Sequence, residues 1–152
     1  MYPKKHIFFG FVFSALIFFI FPNQISLLEA GIVFLSSFLI DVDHYVYYLI
    51  KNKSFNPVKA FNYFSDARKR MLKLSFEKRK YYYSGWCFFH GIEWLFIFFI
   101  LGIFISKYFL FISIGFTSHL CLDWIEESHN NPRIDKISAV YDFFKFKKLK
   151  KI

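Results

Sequence analysis

Four apolar runs divide the chain. Ile7 to Phe21 is broken only by Gly10 and Ser14. Ile25 to Ile40 carries Glu29 and a few serines. Trp86 to Ser106 and Phe109 to Ile125 complete the set. Each approaches the ~20 residues that a helix needs to cross a bilayer. The polar breaks inside each pair are short: Pro22-Asn23-Gln24, then Lys107-Tyr108. The pattern predicts an all-α, integral membrane four-helix bundle, one domain over residues 1–152, with spans at about 6–21, 25–44, 86–106 and 109–125. A positive start followed by an apolar core also fits a signal peptide. No small-x-small cleavage pattern follows Phe21, so the first run is read as an uncleaved span.

Between spans two and three, residues 51–84 are polar and basic. Asn56-Pro57 marks a helix start, with Asn as cap and Pro in the first turn. Beyond it Ala60, Phe64, Ala67, Met71 and Leu74 form one stripe, with Lys59, Arg70 and Lys73 away from it. Such a basic amphipathic helix lies on a membrane surface or packs over the bundle. The tail, residues 128–152, holds Ile137, Val140, Tyr141 and Phe144 in a second, weaker amphipathic pattern.

Composition strengthens the membrane reading. The chain is 56% hydrophobic and holds 25 Phe, more than the interior of a 152-residue domain can bury. A net charge of +9 is compatible with nucleic acid, but the basic residues flank apolar runs. That arrangement makes anionic lipid headgroups the expected partner, with no nucleic acid. The N-terminus, the loop and the tail carry 2, 10 and 7 Lys/Arg, and the two short turns only Lys107. The positive-inside rule then gives a multi-pass cell-membrane protein with both termini and the basic loop in the cytoplasm.

Ionisable groups inside apolar runs are costly and mark function. His6 starts span one. Asp41-Val42-Asp43-His44 ends span two. His90 and Glu93 lie just inside span three, and His119 and Asp123 near the end of span four. All fall at the cytoplasmic end. Asp41/His44 and His90/Glu93 are i,i+3 and His119/Asp123 is i,i+4, so each pair shares a helix face. Converging carboxylates repel unless a cation joins them. A His/Asp/Glu set suits a divalent metal, zinc first, then manganese or iron. His6, Asp41, His44, His90, His119 and Asp123 are the expected ligands. Asp43 and Glu93 are the candidate general bases. Cys87 and Cys121 are read as small buried hydrophobes and imply no disulfide framework, with Cys87 an outlying candidate ligand. Glu29, at the far end of its span, is read as an interfacial carboxylate, and His129 as a loop residue.

His6-x-x-x-Gly10, Asp41-Val42-Asp43-His44 and His119-Leu120-Cys121-Leu122-Asp123 together resemble the LexA-regulated, inner-membrane metal-dependent hydrolase family. The resemblance implies a membrane-bound, phospholipase-like activity, distantly similar to zinc phospholipase C and its nuclease relatives. Many members carry His-Arg-Gly-x-x-His-Ser before the third span. Here Phe89-His90-Gly91-Ile92-Glu93-Trp94 stands in its place, without the Arg, and Arg79 or Lys80 is the candidate replacement for holding phosphate.

The expected function is hydrolysis of a lipid-borne (phospho)ester at the cytoplasmic interface. A small transporter or proton relay would use the same His/Asp cluster, but it requires polar groups along the whole membrane depth. A non-catalytic membrane protein with a structural metal site requires a closed coordination shell.

Overall fold

A computed structural model describes residues 3–152. The chain is mostly helical. In order it forms α1 (Pro3–Ile20), α2 (Leu27–Leu39), α3 (Val42–Asn52), α4 (Pro57–Lys73), α5 (Phe76–Arg79), β1 (Tyr82–Tyr83), α6 (Ile92–Phe104), α7 (Tyr108–Asn130), α8 (Ala139–Phe146) and β2 (Lys150–Lys151). The two strands pair in parallel, Tyr82 with Lys150 and Tyr83 with Lys151. Two compact units result. The first takes the chain up to Ile40 and Ile92–Asp123; the second takes Asp41–Gly91 and Trp124–Ile152.

Among the described residues α7 alone is long and apolar enough to cross a membrane, and α6 is apolar but shorter. The expected second and third spans are cut back. α2 and α6 have 13 residues each, about 20 Å of rise against a hydrocarbon layer of about 30 Å. The causes are local. The Ser36 and Ser37 hydroxyls donate back to the carbonyls of Ile32, Val33 and Phe34, a pattern that weakens a helix, and α2 stops two residues later. Residues 86–91, expected to be helical, are irregular, and the Phe89 amide donates to the Asp43 carboxylate. α7 runs on past the expected end at Ile125, so His129 sits in its last turn rather than in a loop.

Close helix contact organises the first unit. A Cβ on Gly10 would lie 1.9 Å from Ser37 Oγ, and one on Gly115 would lie 2.0 Å from Ser36 Oγ and 2.5 Å from the Val33 carbonyl. Only glycine lets α1 and α7 approach α2 this closely. Val33 and Leu120 are fully buried there. α2 begins with a capping box: the Glu29 amide donates to Ser26 Oγ, and Ser26 donates its own amide to Glu29 Oε2 at 2.7 Å. Lys107 pairs with the same carboxylate at 2.7 Å. Glu29 is therefore buried and paired rather than reaching for water. The outward side keeps large apolar groups exposed, with Phe19 at 74%, Leu27 at 76% and Phe104 at 80%.

In the second unit α4 starts where expected. Asn56 Oδ1 accepts from the amides of Val58 and Lys59, and Pro57 follows. Its apolar stripe turns inward: Ala60 and Ala67 are buried, and Phe64 meets the rings of His44, Tyr47 and Tyr63. Ser138 caps α8. That helix buries Ala139, Asp142 and Phe146 and leaves the expected stripe, Val140, Tyr141 and Phe144, exposed. Arg79 donates to the carbonyls of Leu72, Leu74 and Asn130, closing the C-terminal ends of α4 and α7. Lys80 pairs with Glu77 on the surface. Arg79 is thus committed to backbone oxygens, which removes it as the phosphate-holding replacement.

Candidate metal centre

Buried His and Asp side chains gather in each unit, and in the second unit they form, with Cys87, a group that could hold a metal ion. In the second unit the backbone turns at Ile40–Asp41 and α3 begins, with Asp41 as its N-cap residue. Asp43 and His44 occupy the first turn, where the helix N-terminus favours a carboxylate. Asp43 is 4% exposed and accepts from every side. Oδ1 lies 3.0 Å from His44 Nδ1, and Oδ2 lies 2.9 Å from both His90 Nδ1 and the Phe89 amide. Drawing in the Phe89 amide is what keeps residues 86–91 from continuing a helix.

These contacts assign the tautomers. Each imidazole donates Nδ1–H to Asp43, which turns its Nε2 lone pair elsewhere. His44 Nε2 faces Cys87 Sγ at 3.3 Å, and His90 Nε2 faces Asp41 Oδ1 at 3.5 Å. Two electron-rich atoms face each other in the second contact, an arrangement that favours a proton or a cation between them. Asp43, His44, Cys87 and His90 each present one ligand atom, and all four atoms lie within 4.8 Å of one another. A carboxylate holding Nδ1–H while Nε2 points into such a group is how proteins orient metal-binding histidines.

In the first unit His6, His119 and Asp123 come together. His6 lies one turn before Gly10 on α1 and His119 one turn after Gly115 on α7, so the two close contacts with α2 bring both rings inward. The rings stack, centroids 3.9 Å apart. His119 donates Nδ1–H to the Ser37 carbonyl at 2.7 Å, leaving Nε2 toward Asp123 Oδ2 at 3.5 Å. Asp123 Oδ1 is 3.2 Å from His6 Nε2. His6 is fully buried, and neither ring nitrogen has a hydrogen bond. An imidazole in that position is costly unless something further satisfies it.

Asp41, Asp43, His44 and His90 gather in the second unit; His6, His119 and Asp123 gather in the first. Glu93 is half-buried in the first turn of α6. His90 precedes α6, which begins at Ile92, so it and Glu93 do not share a helix face as expected. Cys87 is buried and belongs to the four-atom group, while Cys121 is exposed, against its reading as a buried hydrophobe. Sequence spacing undervalued Cys87 because it assumed a helix there. Searches against family models, curated proteins and solved structures match nothing.

Proposed function

We propose that this chain is a membrane-embedded, metal-dependent hydrolase acting on a lipid-borne ester, with a phosphoester the first choice. This carries forward the resemblance to the LexA-regulated, inner-membrane hydrolase family. The observation that carries the reading is the gathering of His44, Cys87 and His90 around Asp43, one atom from each of the four lying within 4.8 Å of the others, with the thiol and the two imidazoles as the ligands. A thiolate with two imidazoles favours zinc over manganese. Zinc would activate water and polarise the ester. Asp43 orients both imidazoles instead of serving as base, because both its oxygens are engaged. Asp41 is the better base, its side chain being 17% exposed against 3% for Asp43. The multi-pass arrangement, with termini and basic loop in the cytoplasm, is supported by the exposed Phe and Leu of the first unit and by the charge pattern. Embedding α2 and α6 then requires the bilayer to thin around them.

Elemental analysis of detergent-purified protein tests this. Stoichiometric zinc is expected, lost in His44→Ala and His90→Ala together with hydrolysis of phospholipid vesicles. A wild type that takes up no metal on reconstitution overturns the reading.

One feature favours a second reading. His44 bridges Cys87 Sγ and Asp43 Oδ1, the order of nucleophile, base and orienting acid. In that scheme the Cys87 thiol passes its proton to His44 Nε2 as sulfur bonds to an ester carbonyl. His44 then protonates the departing alcohol, and water releases the acyl group. Cobalt substitution separates the two. A thiolate-to-cobalt charge-transfer band that vanishes in Cys87→Ser supports metal binding. Chelator-insensitive esterase activity blocked by iodoacetamide supports the nucleophile.

A further inference from the structure

Beside the four-atom group the second unit holds a cavity of about 210 Å³, lined by Tyr47, Tyr83, Trp86, Phe143, Phe146 and Lys147. Its walls come from the same segments as the candidate ligands. Tyr47 is one turn beyond His44 on α3, and Trp86 directly precedes Cys87. Secondary structure fixes the other walls. β1 carries Tyr83, stacked on Phe146 at 4.8 Å, and Trp86 Nε1–H donates to the Ala139 carbonyl at the start of α8. The aromatic walls are therefore held in place rather than collapsed into the space.

Lys147 lines this cavity and Lys151 stands over the ring of its wall residue Tyr47, neither of them ion-paired with a carboxylate among the described residues. Lys147 Nζ lies 4.4 Å from the Phe143 ring centre, and Lys151 Nζ lies 4.5 Å from that of Tyr47 and donates to its hydroxyl. Lys145, in contrast, is paired with Asp135 and Asp142. The remaining face of α8 presents exposed Val140, Tyr141 and Phe144 beside Lys147 and Lys148, the composition of a helix that rests on an anionic membrane.

We infer that this cavity binds one acyl chain of an anionic phospholipid, with the phosphate held at Lys147 and Lys151. The volume exceeds the ~150 Å³ that accepts benzene, so it admits on the order of six to eight chain carbons. The aromatic walls suit a hydrocarbon, the two ammonium groups suit its phosphate, and the exposed stripe of α8, the helix that supplies Phe143 and Phe146 to the wall, suits a lipid surface. This rests on the lipid-directed reading above and names its substrate class, but it does not depend on the metal.

The test uses the whole chain, chelator-treated in nonionic detergent, with native mass spectrometry reading retained lipid. The probes are dihexanoyl phosphatidylglycerol, dihexanoyl phosphatidylcholine and glycerol phosphate. One phosphatidylglycerol is expected to bind at least about fivefold more tightly than phosphatidylcholine, with no retention of glycerol phosphate. Lys147→Gln/Lys151→Gln, which leaves the core intact, is expected to weaken it about tenfold. Phe146→Ala is expected to weaken both lipids. Equal retention of the two lipids, or no change in the double lysine variant, overturns the proposal. Retention of glycerol phosphate alone assigns the lysines to free phosphate and also overturns it. Because metal is absent, lipid binding without zinc uptake in the parallel reconstitution would sink the hydrolase chemistry alone, and zinc uptake without lipid binding would sink this pocket alone.

Discussion

The Nδ1–H of His119 is donated to the Ser37 carbonyl at 2.7 Å, and that contact decides which ring nitrogen faces Asp123. His6 stacks on the same ring with both nitrogens lacking hydrogen bonds. A buried polar atom left unsatisfied costs about 1–3 kcal/mol. His6→Phe keeps the ring and removes that cost. Chelator-treated His6→Phe is therefore expected to melt no lower than wild type, the cost removed offsetting the lost 3.2 Å contact with Asp123 Oδ1. Added zinc should raise the melting temperature of the variant as well as of wild type, because the Asp43, His44, Cys87 and His90 group is untouched by the substitution. A variant that melts lower without metal would show that His6 is already satisfied.

Gly115 tests how α2 and α7 hold the first cluster. A side chain there meets Ser36 Oγ and, more seriously, the Val33 backbone carbonyl at 2.5 Å. Backbone cannot rotate away, so Gly115→Val forces the helices apart. The expected loss is about 3 kcal/mol, read as a fall in melting temperature in detergent. Gly31, with open space around its would-be Cβ, is the control: Gly31→Ala should be neutral or slightly stabilising, since alanine is the better helix former.

Asp43 is argued to orient rather than to accept the catalytic proton. Asp43→Asn preserves shape but replaces an acceptor-only group with one that must also present an NH2. One of the donors from His44, His90 and Phe89 then meets a donor. Zinc affinity is expected to fall 10–100-fold. At saturating zinc, hydrolysis should recover much of its wild-type rate, because no proton-transfer step is lost. A rate that stays low at full zinc occupancy would instead make Asp43 the base.

Much of this was legible in the chain because it depends on local chemistry. Asn56-Pro57 marked the start of α4, and the i,i+4 spacing of His119 and Asp123 survives as a 3.5 Å contact. Asp41-Val42-Asp43-His44 stands out because three polar groups end an apolar run, and Asp43 and His44 fall in a group that could hold a metal ion. What escaped depended on hydrogen bonds, local and tertiary, that hydropathy does not weigh. Hydropathy does not record that Ser36 and Ser37 turn their hydroxyls onto the helix backbone and that α2 ends at Leu39. Nor does it record that the Phe89 amide has a better acceptor in Asp43 than in a helix. Cys87 was undervalued for the same reason: its position follows from an irregular segment, where helical spacing has no meaning. Gly115 carries no signal of its own, though its place one turn before His119 mirrors that of Gly10 one turn after His6.

Arg79 offers the sharpest separation of structure from chemistry. On the proposed lipid-hydrolase reading a guanidinium invites assignment to phosphate, but the donors of Arg79 go to the carbonyls of Leu72, Leu74 and Asn130. Charged donors to carbonyls contribute about 1.5–3 kcal/mol each when buried. Arg79 is half-buried, so the total for Arg79→Met is expected to be nearer 2 kcal/mol. Arg79→Lys should lose most of that as well, because an ammonium cannot fork between three oxygens. Both variants should melt lower while keeping wild-type zinc content and wild-type KM for phospholipid at temperatures where they remain folded. A raised KM with an unchanged melting temperature would return Arg79 to the substrate. That outcome would require the three carbonyls to find other donors, which hydrogen exchange at the ends of α4 and α7 would detect.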